Sequence, residues 1–425
     1  MSYLLRILYS ACVLLLISSN AFAEGFAMQE WSARGLALAG GLVARADDAS
    51  AVAYNPAGIT QLPGTRFMAG ASLIAPYGQV DAAGHSHAVR PAYWFPPHLY
   101  ATQQINDDWW LGLGVFSRFG LGVQYPSTWE GRFAIYNVGL QTVSVNPVLA
   151  YKVFDWLSLA AGVELMRLDI YLEKKVEPTP LTPENNMNLQ GESWGVGGNA
   201  AAHLRFSEQW SAGLTYRSQM THDVRGKVKF DRQYQPSKYP SPPYPAGTGA
   251  KLGQMRDSDA NATVQLPDSA ALAVMWKPLS NLSFEVGTIW TRWSTYNALN
   301  VYSDAGVRSI KQTSFQDGWN FNAGVEYKPL DWLALRLGGW HETPVVNEKY
   351  ADYLLPTNGR DGLMAGVGFK WEGWTLDLAY AHLWIYPLDY NKASSGSPQN
   401  VYGVQPGNSK NTHTDIFSVS LGYSF

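Results

Sequence analysis

Residues 193–206 read Ser193-Trp194-Gly195-Val196-Gly197-Gly198-Asn199-Ala200-Ala201-Ala202-His203-Leu204-Arg205-Phe206. Trp194, Val196, Gly198, Ala200, Ala202, Leu204 and Phe206 fall on one face of an extended chain. Ser193, Gly195, Gly197, Asn199, Ala201, His203 and Arg205 fall on the other. Alternation at period two is the signature of a β-strand with two unlike surroundings. The same pattern recurs at 319–328, where Trp319, Phe321, Ala323, Val325 and Tyr327 oppose Asn320, Asn322, Gly324, Glu326 and Lys328, and again at 209–217, 361–371 and 414–425. Apolar on one side and polar on the other suits lipid outside and a polar lumen inside. In hydrocarbon every backbone N–H and C=O needs a partner, so such strands must close into a barrel.

Composition points the same way. The 425 residues include 40 Gly, 17 Trp and 24 Tyr but only 15% charged residues, against about 25% in an average soluble domain. A barrel exposes only alternate residues to lipid, so its mean hydropathy stays modest. The net charge of −3 gives no electrostatic basis for nucleic-acid binding. At the N-terminus, Arg6, the apolar run Ile7 to Ile17 and Ala21-Phe22-Ala23 read as a signal peptide over 1–23. Its core is too short for a membrane-spanning helix, which takes roughly 20 apolar residues. The single cysteine, Cys12, lies inside it, so the mature chain has no thiol for disulfides, metal binding or nucleophilic catalysis.

Turn residues near Asn106-Asp107-Asp108, Asp155, Ser207-Glu208, Pro278 to Asn281, Pro329 to Asp331 and Glu372-Gly373 alternate with longer polar segments, the longest being Tyr234 to Gly253. Counting between them predicts an all-β transmembrane antiparallel barrel of about fourteen strands over 66–425. An even count leaves both ends in the periplasm, with short turns inside and long loops outside. Trp109, Trp110, Trp156, Trp210, Trp332 and Trp374 follow short turns, and Trp276, Tyr327 and Trp371 precede them, as an aromatic girdle requires. Leu421, Tyr423 and Phe425 alternate up to the last residue, a signal of the kind read by the bacterial barrel-assembly machinery. Residues 24–65 lack alternation and are rich in Gly and Ala, with Arg34, Arg45, Asp47 and Asp48. They read as an N-terminal hatch filling the wide lumen.

Several segments resemble the FadL/TodX-type outer-membrane transporters of long-chain fatty acids and hydrocarbons. They are Gly25-Phe26, Ser32-Ala33-Arg34-Gly35, Ala46-Asp47-Asp48-Ala49, Asn55-Pro56-Ala57, Ala92 to His98, Ser117-Arg118-Phe119-Gly120-Leu121, Leu266-Pro267-Asp268, Trp290 to Ser294 and His341 to Val345. The order and spacing cover nearly the whole mature chain. The resemblance implies capture in an apolar groove among outer loops, transfer to an interior pocket, and sideways release into the outer membrane of a Gram-negative cell. By the same resemblance Lys311 is the candidate cation for an acid head group, with Glu342 or His341 holding it and Arg167 near a further basic position. Leu168, Ile170 and Leu172, leading into a 173–190 loop, are expected groove residues, with Phe133 and Tyr136 in the preceding outer loop. Asn55-Pro56-Ala57 is the expected hatch contact near a lateral gap, and Phe119, Gly120 and Gly122 mark the kink that opens it, since glycine within a strand often marks a bend.

No metal site or cofactor is expected. His85-Ser86-His87 with His98 lacks a fixed third ligand, and the glycines of 112–114 and 195–198 do not open a helix after a buried strand, as phosphate binding requires. The expected partners are a hydrophobic small molecule, outer-membrane lipid and the assembly machinery, with the protein itself a monomer. Uptake of aromatic or alkane hydrocarbons by the same route is the alternative. A general porin is the alternative of another class, and an enzyme is not expected, for want of a Ser/His/acid set.

Overall fold

The computed structural model describes residues 25–425, except 91–92, 178–181, 235, 239–247, 357 and 396–402. The expected signal peptide, Ala92 and much of the longest polar loop lie outside the described residues. Among the described residues twenty strand segments form one sheet; His85–Ala88 folds back as a short hairpin on the end of the first strand, and the other nineteen make fourteen crossing strands in a closed antiparallel barrel. In chain order these are β1 (Thr65–Ala82), β2 (Pro97–Gln104), β3 (Trp109–Phe116 and Gly120–Gln124), β4 (Asn137–Phe154), β5 (Leu157–Val176), β6 (Asn185–Arg205) and β7 (Trp210–Arg217 and Met220–Phe230). They continue with β8 (Ser258–Leu266 and Ser269–Leu279), β9 (Leu282–Thr291 and Ala298–Ser303), β10 (Arg308–Gln312 and Gly318–Leu330), β11 (Leu333–Glu342), β12 (Arg360–Trp371), β13 (Trp374–Ile385) and β14 (Ser409–Ser424). Each strand pairs with the next, and β1 closes on β14 through a register running from Arg66↔Ser424 to Val80↔Ser409.

The alternation read from 193–206 is the inside–outside alternation of β6. Trp194 and Val196 are about two-thirds exposed to the surroundings, while Ser193, Asn199 and His203 face inward and are buried. At the tight-turn end Trp109, Trp156, Trp210, Trp332, Trp371, Trp374 and Tyr327 point outward. Trp110 departs from the expected girdle. It is the inward neighbour of Trp109, and its indole N–H donates to the Leu62 carbonyl at 2.9 Å. The expected 173–190 loop is also largely strand, because β5 and β6 stay paired up to Val176↔Asn185. A hairpin that rises above lipid loses its apolar–polar contrast, so periodicity alone does not follow it upward.

Residues 25–64 lie inside the barrel as the hatch. Helix α1 (Ala33–Ala37) starts where the Ser32 hydroxyl accepts the Gly35 N–H. Helix α2 (Ala51–Tyr54) is followed by a 3₁₀ turn, Pro56–Gln61, capped by the Asn55 side chain on Ala57 N–H. The wall makes room for this backbone by omitting side chains. A Cβ on Gly338 would stand 2.7 Å from the Ala39 amide nitrogen. Gly70 on β1 likewise lets His98 of β2 cross that strand to share a 2.8 Å hydrogen bond with Ser420 of β14. A Cβ at Gly70 would meet His98 Nε2 at 2.3 Å.

Charge fixes the hatch to the wall. Glu285 of β9 accepts the backbone N–H groups of Val43, Ala44 and Arg45 at 2.8, 3.0 and 2.8 Å. Glu326 of β10 takes two bonds from Arg34, at 3.0 and 3.1 Å, and one from Arg336 at 2.7 Å. Arg34 also reaches Asp47 and Asp48 at 2.7 and 3.0 Å. Buried ions survive when paired and fully hydrogen-bonded, and these carboxylates are held that way.

At the other end, loops fold into an aromatic cap. Tyr125 stacks on Trp129 at 4.1 Å, Trp129 meets Tyr353 at 4.6 Å, and Tyr353 meets Tyr390 at 4.8 Å. Burial raises the pKa values of the Tyr125, Tyr353 and Tyr390 phenols above their usual range, so these hydroxyls stay neutral. Trp129→Ala is expected to cost the cap about 3–5 kcal/mol of packing. Limited proteolysis should then cut within 125–136 or 386–395, while the barrel keeps its resistance to unfolding in detergent at room temperature.

Candidate functional site

Two cavities lie on one apolar cluster inside the barrel. The upper cavity, of 170 Å³, is walled by Ile170, Leu172, Met187, Leu189, Val224, Val228, Val264 and Leu299, with Lys174 and Lys311 among its lining. Lys311 is buried and pairs with Asp352 at 2.8 Å. Lys174 is half-buried on β5 and is not held in an ion pair among the described residues. The cavity therefore holds two cations against a single carboxylate. Thr313, Phe315, Asp352 and Leu354 continue downward around a small void that Phe26 and Leu121 also line.

The lower cavity, of 240 Å³, begins at Phe26, Leu121 and Leu355 and passes through the barrel wall. Its lining joins the buried hatch residue Glu30 with Phe95, Gln141 and Val143 on the outward surface. The wall is incomplete here because β3 breaks between Phe116 and Gly120. The register against β4 slips by one residue, from Phe116↔Ser144 to Gly120↔Gln141. Beyond the break β3 keeps a strand ladder, among the described residues, only with β4, with one bond from the Arg90 N–H to the Gln124 carbonyl at 2.8 Å besides, since β2 starts at Pro97 and proline supplies no ladder N–H. Thr142 patches the break by accepting the Phe119 N–H at 3.0 Å and donating to the Phe119 carbonyl at 2.8 Å. The hatch completes it: Met28 N–H donates to Arg118 O, and Gly120 N–H to Phe26 O, at 2.8 and 3.0 Å. Phe26 packs edge-on to Trp293 at 4.6 Å and to Phe119 at 6.1 Å, closing the space between the two cavities.

The expected site residues divide cleanly on this geometry. Lys311, Ile170 and Leu172 line the upper cavity, Leu168 belongs to its apolar floor, and Phe119, Gly120 and Gly122 line the opening. Glu342 does not hold Lys311. It pairs with Arg360 and accepts from Asn320 at 2.9 Å, while Asp352 takes the lysine. Arg167 and His341 point out of the barrel, where they pair with Asp169 and Glu192, and with Asp361. Both precede an inward residue by one position, and a one-residue step in a strand reverses the face. Asn55-Pro56-Ala57 lies away from the opening. Asn55 donates to Val43 O and Ala202 O, and Ala57 packs with Val148 and Ala160; Phe26 to Met28 make the contact expected of it. Phe133 stacks under Arg132 and Tyr136 packs on the cap, and neither is in the lining of these two cavities. Lys174 and Asp352 were missed. Lys174 shares the parity of Leu168, Ile170 and Leu172, which was the available signal, whereas Asp352 lies in a loop with none.

Residues 14–425 match the model of the outer membrane protein transport protein family, OMPP1/FadL/TodX. The chain belongs to that family. It is similar to the long-chain fatty acid transport protein of Escherichia coli O6:H1, 27% identical over 413 residues, covering 88% of this chain and 90% of the relative. Among solved structures it is similar to a Pseudomonas aeruginosa FadL homologue, with a TM-score of 0.82 at 18% identity over 94% of this chain and all of the other. The Pseudomonas putida toluene transporter TodX gives 0.70 at 17% identity, covering 94% and 99%. At those identities the structural likeness speaks for the fold. Membership makes the chain an outer-membrane transport protein, and the relatives are transporters and channels.

Proposed function

We propose that the protein takes up long-chain, acid-headed hydrophobic molecules from the cell exterior and releases them sideways into the outer membrane. The carrying observation is the upper cavity, an apolar chamber whose lining bears two lysines with one counter-ion. An alkyl chain leaves water with about 0.8 kcal/mol gained per CH₂, and the surplus cation suits a carboxylate. The long loops face outside and the tight turns face the periplasm. A ligand seated at Lys174 and Lys311 descends past Asp352, displaces Phe26, and leaves through the break in β3. The hatch argues against a porin, and the chain is read as a monomer without catalytic activity, assembled by the barrel-assembly machinery. Uptake of aromatic hydrocarbons is a second reading, supported by the rings of Phe26, Phe119, Trp293, Tyr296 and Phe315 between the cavities.

Tryptophan quenching by oleate and by toluene, on mature protein purified in detergent, separates these. Oleate is expected to saturate, and Lys174→Ala or Lys311→Ala to weaken it about tenfold, the loss of one hydrogen bond to a charged group. Toluene binding should not respond. Oleate binding indifferent to both lysines would sink the acid-head reading, and toluene binding alone would move the substrate to hydrocarbons.

A further inference from the structure

The outward face of β7 above the lipid belt carries Arg225, Lys227 and Lys229 at every second residue, all exposed. At about 3.3 Å per residue they stand roughly 7 Å apart in a single column. None of the three is held in an ion pair among the described residues. Of the carboxylates beside them, Asp223 precedes Arg225 by two residues on the same face and accepts from Thr263 at 3.4 Å, and Asp231 follows Lys229 by two and accepts from Asn186. Glu192 on β6 lies opposite Arg225 but is engaged by Arg167 at 2.5 Å, and Asp259 on β8 lies opposite Lys227. Gln190 and Asn188 face Lys227 and Lys229 from β6. The column stands beyond the apolar surface, with the exposed Asp223 just before its first residue. Trp194, 64% exposed, is the last large apolar outward residue on β6, with Val196, Leu214, Tyr216 and Leu272 exposed below it.

An apolar wall topped by a basic column is complementary to an amphiphile with acyl chains below and phosphate groups above. We infer that the outward face of β6, β7 and β8 is a docking surface for a phosphorylated glycolipid of the outer leaflet, with acyl chains along Trp194 to Leu272 and phosphates on Arg225, Lys227 and Lys229. Basic residues near an anionic lipid surface each add measurably to attraction, and salt screens such exposed contacts. This surface lies outside the barrel and does not depend on the ligand path.

Native mass spectrometry of the mature protein in detergent, titrated with a bisphosphorylated acylated glucosamine disaccharide, tests the inference. The wild type is expected to retain the lipid, and R225Q/K227Q/K229Q to retain it roughly tenfold less. K227R/K229R should bind normally, as should K277Q/K370Q, which removes cations at the tight-turn end. The dephosphorylated disaccharide should bind the wild type no better than the triple variant binds the phosphorylated one. Equal retention by the triple variant and the wild type, or equal affinity for the phosphate-free lipid, would overturn it.

Discussion

A chain carrying Glu285→Ala and Glu326→Ala is expected to leak. Glu285 alone satisfies three consecutive backbone N–H groups of the hatch, and Glu326 is where Arg34 of α1 and Arg336 of β11 meet. Removing one partner of a buried ionic contact costs about 3–5 kcal/mol, mostly from the charge left behind. The double substitution takes from Arg45 both of its carboxylates, leaves three hatch amides without their acceptor, and reduces Arg34 to Asp47 and Asp48 and Arg336 to Asp377. The hatch should then populate displaced states while the barrel, held by its strand ladders, stays closed. Planar-bilayer recordings should change from a quiet baseline to frequent open events, and cells should become sensitive to bulky hydrophilic antibiotics. Glu285→Gln, which keeps an acceptor for some of the amides, should be intermediate. A silent, antibiotic-resistant double variant with an intact barrel would show that the hatch is held by shape alone.

The second large effect is expected at Gly120. A Cβ there would stand 2.7 Å from Met28 Sδ, so Gly120→Leu must push the thioether aside and fill the mouth of the wall opening. Uptake of labelled oleate by whole cells should fall about tenfold, equivalent to roughly 1.4 kcal/mol of added barrier. Binding by the purified variant should be unchanged, because the upper cavity is lined by other residues. That split between lost uptake and kept binding distinguishes a blocked exit from a damaged pocket. Unchanged uptake would mean that ligand does not leave through the β3 break.

The barrel was legible in the sequence because lipid imposes one rule on every strand at once. The alternation at 193–206 and 319–328 gave the faces, and turn residues gave the count. Those same faces correct the site. Leu168, Ile170 and Leu172 cannot share a lumen with Arg167, since adjacent residues on a strand point opposite ways, and continuing their parity by one step arrives at Lys174. Glu342 and His341 are divided by the same rule. What alternation could not give was the partner of Lys311, because Asp352 is brought to it by a loop. It also could not give the role of Phe26 to Met28. Their backbone N–H and C=O groups finish the broken strand, and backbone groups are common to every residue.

One serine near the chain end ties three parts of the molecule. Ser420 Oγ accepts the Ala33 N–H of the hatch at 2.8 Å and shares the hydrogen bond with His98 that crosses β1. The β1–β14 seam is also the last pairing a growing chain can make, and Ala33 and Ser420 are 387 positions apart. Contacts so distant form late, after the intervening loop has been closed at an entropic cost. Ser420 is brought to its place by the seam, so the pairing that closes the cylinder also completes the wall site that receives the start of α1.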